Sequence, residues 1–208
     1  MVLVSAALIM PLHIDAVMAA RCRHQNTVGA ATLMAALMPF SSCCYLYSAA
    51  YKSRLKMSIF CHGLLAVVLL AKVSEDILDR LDIFILSLQE LYVPKPLLWE
   101  WCWLMSIPVA GVGLSALRKN NAASMKIYVS GTFMFGIVPV LAAAFLYFSE
   151  MSEYIQTKSN VTFWQGYPIA VLWYIFIVLA VQIHVFSLYF AIRLILAWQK
   201  VVTVRKAK

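Results

Sequence analysis

PIAVLWYIFIVLAVQIHVFSLYFAI, residues 168–192, runs for 25 positions without a single charged side chain. A helix rises 1.5 Å per residue, so a run of this length is more than the roughly 20 apolar residues needed to cross a bilayer core of about 30 Å. Working back along the chain, residues 127–149 form a second uncharged run of 23 residues. Residues 97–117, LLWEWCWLMSIPVAGVGLSAL, form a third apolar run, charged only at Glu100, with Trp99, Trp101 and Trp103 placed like an interfacial aromatic belt. Residues 57–73, MSIFCHGLLAVVLLAKV, form a fourth, in which Lys72 snorkels at one end. The expected fold is all-α: a polytopic membrane bundle of four transmembrane helices.

Composition agrees. Of 208 residues 63% are hydrophobic and 12% charged, and the mean hydropathy is +0.84. A soluble domain carries about 25% charged residues, so a soluble globular enzyme and a disordered chain are both excluded. A transmembrane barrel would read as alternating segments of about ten residues, which the continuous apolar runs contradict. Five cysteines show no CxxC or zinc-ligand spacing, so neither a disulfide framework nor a structural metal is expected.

The net charge of +8 does not point to nucleic acid, because the bases cluster beside the apolar runs. Thirteen of the 17 basic residues fall in three regions: before residue 57, between 117 and 127, and after 192. The two remaining connections hold Lys72, Arg80, Lys95 and Lys158 among Glu75, Asp76, Asp79, Asp82, Glu90, Glu150 and Glu153. The alternation follows the positive-inside rule with both termini in the cytosol.

Two segments need separate treatment. Residues 74–92, SEDILDRLDIFILSLQELY, place Ile77, Leu78, Leu81, Phe84, Ile85, Leu88 and Leu91 at helical spacing. An amphipathic helix on the lumenal membrane surface, stopped by Pro94 and Pro96, is the expectation. Residues 1–51 are apolar and atypical. Residues 28–50 are uncharged over a span's length, but a fifth helix there would carry Arg21 and Arg23 to the side opposite the other bases.

Polar groups inside spans are costly and mark functional candidates. His62, Glu100, Gln182 and His184 are those residues, read foremost as interhelical hydrogen-bonding groups. Glu100 is expected near the interface and His184 in the cytosolic half of its span. The alternative reading is a small transporter or channel using Glu100, His62 and His184. Gly111 and Ser115 supply a small-xxx-small packing signal. No GxSxG, HExxH, GxGxxG or phosphate loop is present, so no enzymatic activity and no cofactor are expected. Asn160-Val161-Thr162 is a glycosylation sequon eight residues before Pro168, close enough to the membrane to stay mostly unmodified. At the other end, Arg205-Lys206-Ala207-Lys208 resembles the dilysine-type signal read by the retrograde vesicle coat, with Arg205 and Lys206 as the recognised bases.

The stretches KSRLKMSIFCHGLLAVVLLAK, DILDRLDIFIL, VPKPLLWEW, GLSALRKNN, GYPIAVLWY, VQIHVFSLYF and LILAW occur in order over residues 52–200. Over that length the chain resembles the Jagunal family of endoplasmic-reticulum membrane proteins. The resemblance implies four spans and a non-enzymatic role in reticulum organisation and vesicle-mediated transport in the early secretory pathway. It also implies that the tail beyond residue 200 binds the COPI coat. Residues 1–51 depart from the charged, polar start of that family, and stand either as an extra span or as an artefact of the gene model.

Overall fold

The computed structural model describes residues 39–83, 93–156 and 163–206, with side chains described over 48–83, 93–156 and 163–199. Seven α-helices, one π-helical segment and a two-stranded hairpin make up these residues. They are α1 (Pro39–Arg80), α2 (Leu98–Leu104), α3 (Ser106–Lys119) and α4 (Ala122–Gly131). The π segment (Thr132–Ile137) leads into α5 (Val138–Leu146) and α6 (Phe148–Gln156). The hairpin strands are β1 (Phe163–Trp164) and β2 (Tyr167–Pro168), and the last helix is α7 (Ile169–Lys206). Four helical stretches are long and apolar enough to cross a membrane: Ser48–Arg80, Leu98–Lys119, Ala122–Leu146 and Ile169–Gln199. Each overlaps one of the four runs identified in the sequence.

Proline explains where the two middle spans are broken. Pro108 lacks the N–H that would bond the carbonyl of Leu104 and clashes with it, so the ladder is interrupted at Met105 between α2 and α3. Ser106 Oγ–H fills part of the gap by donating to the Trp103 carbonyl at 2.6 Å. Pro139 likewise cannot bond back to Phe135. Upstream of it the chain slips into π geometry, with the Val138 N–H donating to the carbonyl of Phe133 five residues earlier.

The turn between α3 and α4 is set by two asparagines. Asn120 takes the left-handed conformation (φ 51°) that short polar side chains tolerate, and Asn121 caps α4 by accepting from the Ala123 and Ser124 N–H groups.

Residues 39–50 are the N-terminal turns of α1, continuous with the first span; residues 1–38 lie outside the described residues. The amphipathic segment expected over 74–92 has a different beginning. As far as Arg80 it continues α1, and the chain turns only at Leu81 and at Asp82, whose φ is 55°. Residues 84–92 lie outside the described residues.

The α1–α7 contact is the largest between any two elements. The bundle has two apolar cores. One, built on Tyr51, Leu55, Met125, Tyr128, Phe190 and Leu194, lies towards the Asn120–Asn121 turn. The other, built on Leu69, Val73, Trp103, Val140, Phe176 and Ala180, lies towards the hairpin end. Glycine governs the close approaches. A Cβ on Gly113 would stand 2.6 Å from the Tyr128 ring, one on Gly131 2.7 Å from Val109, and one on Gly136 2.8 Å from the His184 ring. Gly111, by contrast, is exposed with nothing within 4 Å, and Ser115 is exposed too. The small-residue contact is therefore one helical face away from the one expected, at Gly113.

Candidate functional site: a polar layer and a buried ion pair

Between the two apolar cores lies a buried layer of Ser58, His62, Ser106, Thr132, His184 and Ser187. All four spans contribute. His62 Nε2 and Ser106 Oγ are 2.8 Å apart, and Trp103 Nε1–H donates to His184 Nε2 at 3.1 Å. Hydrogen counting fixes the tautomers. An indole N–H only donates, so His184 Nε2 is the acceptor and its proton sits on Nδ1. Ser106 uses its one hydroxyl proton on the Trp103 carbonyl, so it accepts from His62 Nε2–H. His184 is neutral in this arrangement, and the two ring centroids are 4.9 Å apart.

One turn away, Ser58 Oγ–H donates to the Ile183 carbonyl at 3.1 Å and lies 2.7 Å from Ser187 Oγ. The Tyr128 hydroxyl belongs to the same layer, beside Ser187 and Thr132. Every one of these groups has a partner, which is the condition for placing polar atoms where no water competes.

The second feature stands at the hairpin end. Lys72 Nζ is 2.7 Å from both carboxylate oxygens of Glu100 and 4.8 Å from the centre of the Trp173 ring. Glu100 is 0% exposed and also accepts from the Leu97 N–H at 3.3 Å. Trp99 meets Trp173 edge to face at 4.9 Å, and Tyr147 stacks on Trp173 at 6.0 Å. Glu100, expected near the interface, stands at the start of its span with its side chain fully buried in the protein, and Lys72, expected to snorkel, is its counter-ion. The signal was present in the sequence: opposite charges near the adjoining ends of two consecutive spans.

His62 and His184 are brought together, while Glu100 belongs to the separate pair. Gln182 is half-buried and outside the layer. His184 lies between the two cores. Asn160 falls in 157–162, outside the described residues; Arg205 and Lys206 end α7, with side chains not described. Ser58, Ser106, Thr132 and Tyr128 were missed in the sequence, because isolated hydroxyls in a span carry no periodic signature. Among the described residues no group of three or more His, Cys, Asp or Glu could hold a metal ion.

Comparison with known families identifies this arrangement of spans. The family model described as "Jagunal, ER re-organisation during oogenesis" matches residues 42–202. The chain belongs to the Jagunal family. It is 42% identical over 169 residues to Protein jagunal of Drosophila melanogaster, covering 78% of this chain and 86% of that one. It is 30% identical over 171 residues to the Protein jagunal homolog of Caenorhabditis elegans, covering 76% and 85%. It is 27% identical over 154 residues to Protein jagunal homolog 1 of Homo sapiens, covering 74% and 80%. The match to the Jagunal model takes in all four candidate spans, the polar layer and the Lys72–Glu100 pair.

Proposed function

We propose that the chain is a non-enzymatic, multi-pass protein of the endoplasmic-reticulum membrane. It supports reticulum organisation and vesicle-mediated transport in the early secretory pathway. The observation that carries this reading is the family match, whose description concerns reticulum re-organisation, across the four-span body. Both termini face the cytosol on the strength of the charge alternation. In that orientation α7 delivers Arg205 and Lys206 to the cytosolic side, where acidic pockets of the COPI coat accept them. Asn160 then lies in a lumenal loop and stays mostly unglycosylated. The test is the location of the protein carrying an internal epitope, beside its Lys206→Ser variant. Reticular wild type with a variant that leaks to the Golgi supports both residence and retrieval. A variant that stays reticular removes the tail from the mechanism, and wild type at the plasma membrane removes the whole reading.

A second reading is favoured by one observation, the meeting of His62 and His184 at mid-bundle. Two imidazoles in a hydroxyl-rich layer are suited to passing protons between spans. Proton flux into vesicles containing the purified protein, abolished in His184→Ala, supports that reading; no flux above protein-free vesicles rejects it.

A further inference from the structure

A lateral groove runs between α1 and α7 on the outer face of the bundle. Its volume is about 540 Å³ and its walls are apolar, with Leu65, Val68, Leu172, Phe176 and Leu179 along its length. It is within the range of about 300–1,000 Å³ typical of small-molecule sites. Val68 and Leu179 are exposed on the surface of two spans, so the groove opens towards the hydrocarbon of the bilayer. What can enter from that direction is an acyl chain.

The groove does not end in hydrocarbon. Lys72, Val93 and Pro94 line both it and a second cavity of about 180 Å³ at the hairpin end. That cavity is lined by both signs of charge, Lys72 and Lys95 together with Glu75, Asp76 and Asp79. Lys72 is engaged by Glu100, and Asp76 accepts from Arg80 Nε at 2.8 Å. Among the described residues, the lining charges left over are the Lys95 ammonium and the carboxylates of Glu75 and Asp79. A fatty chain joined to a headgroup with both an anionic and a cationic centre matches this continuous pair of cavities.

We propose that the α1–α7 groove and its charged cap bind one zwitterionic phospholipid from the leaflet at the hairpin end. The acyl chain lies along Val68, Leu172 and Phe176. The phosphodiester faces Lys95, and the amine faces Glu75 and Asp79. A phosphatidylglycerol headgroup lacks the cationic centre and leaves the carboxylates of Glu75 and Asp79 without a counter-charge. The proposal requires only that the helices span a bilayer, and stands apart from the trafficking role.

The experiment places the full chain in phosphatidylglycerol vesicles with a small fraction of phosphatidylethanolamine bearing a diazirine on one acyl chain. Irradiation is followed by peptide mapping. Adducts are expected in 65–71 and 169–179, in excess over those on α5. Leu172→Trp and Val68→Trp, which fill the groove from opposite walls, are expected to remove them. Phe145→Trp, on a lipid-facing surface outside the groove, is expected to leave them unchanged. Lys95→Glu is expected to lower labelling about tenfold, the loss expected for one charge-assisted contact. Adducts spread evenly over α5 and the groove walls, or groove adducts that survive both Trp variants, overturn the proposal. Equal labelling by a phosphatidylglycerol probe in a phosphatidylcholine host overturns the headgroup assignment. The Trp variants are compared at matched thermal stability in detergent, so that lost labelling reports the groove and not the fold.

Discussion

At the scale of single residues, the Lys72–Glu100 pair shows how a membrane bundle accommodates charge. Removing one member leaves the other buried and uncompensated, a loss of about 3–5 kcal/mol. Lys72 is 15% exposed and Glu100 0%, so the charge left by removing Glu100 is partly hydrated and that loss falls at the lower end of the range. Glu100→Gln is expected to lower unfolding stability in detergent by about 3 kcal/mol, and Lys72→Met, which strands the buried carboxylate, by about 4–5 kcal/mol. The double variant Lys72→Met/Glu100→Leu is expected to recover much of that loss, because no lone charge remains. A double-mutant cycle by thermal unfolding measures this, and additive single effects would contradict a direct pair. Gly136 makes a second residue-scale prediction. A methyl group there meets the His184 ring, which is itself held by Trp103 and cannot swing away. Gly136→Ala is expected to cost about 1–3 kcal/mol, whereas Gly111→Ala, facing open space, stays within about 0.5 kcal/mol.

At the scale of elements, the α3–α4 turn depends on two adjacent asparagines in different roles. Asn121→Ala removes the acceptor for two N–H groups of α4 and is expected to cost about 1 kcal/mol. Asn120→Gly keeps the left-handed backbone accessible and is expected to be nearly neutral, while Asn120→Val is expected to cost about 1–2 kcal/mol. Amide exchange in the first turn of α4 distinguishes the two. It rises in Asn121→Ala and hardly changes in Asn120→Gly. The two prolines act on elements in another way. Pro108 opens the ladder, so that Ser106 can bond both the Trp103 carbonyl and His62, and Pro139 follows the π segment that lays Gly136 on His184. The irregular backbone in both middle spans is where the polar layer forms.

At the scale of the whole molecule, four spans return the chain to the side on which it entered. The Asn120–Asn121 turn therefore shares a face with Ser48 and Trp198, whose side chains meet at 3.1 Å, and Lys95 lies on the opposite face. In a chain whose five cysteines are replaced by serine, a cysteine at Lys119 is expected to react with an impermeant maleimide from the same side as a C-terminal epitope. A cysteine at Lys95 is expected to be protected until the vesicles are opened. Reaction of both from one side would exclude an odd number of spans between Lys95 and Lys119.

The division between what was legible and what was not follows from the physics of the bilayer. Hydrocarbon demands long uncharged helices, so the four spans and the family stretches could be read from residues alone. Pairing between spans is another matter. Inside lipid an apolar face is equally content against lipid or protein, so hydropathy does not reveal which side of a helix turns inward. Only the packed structure could place Glu100 on Lys72. Only it could bring His62 within reach of His184 and move the close glycine contact from Gly111 to Gly113. The sequence by itself determined that the chain crosses the membrane and where; the tertiary structure decided which polar groups meet, because partners 28 to 129 residues apart are joined by packing and not by any local pattern.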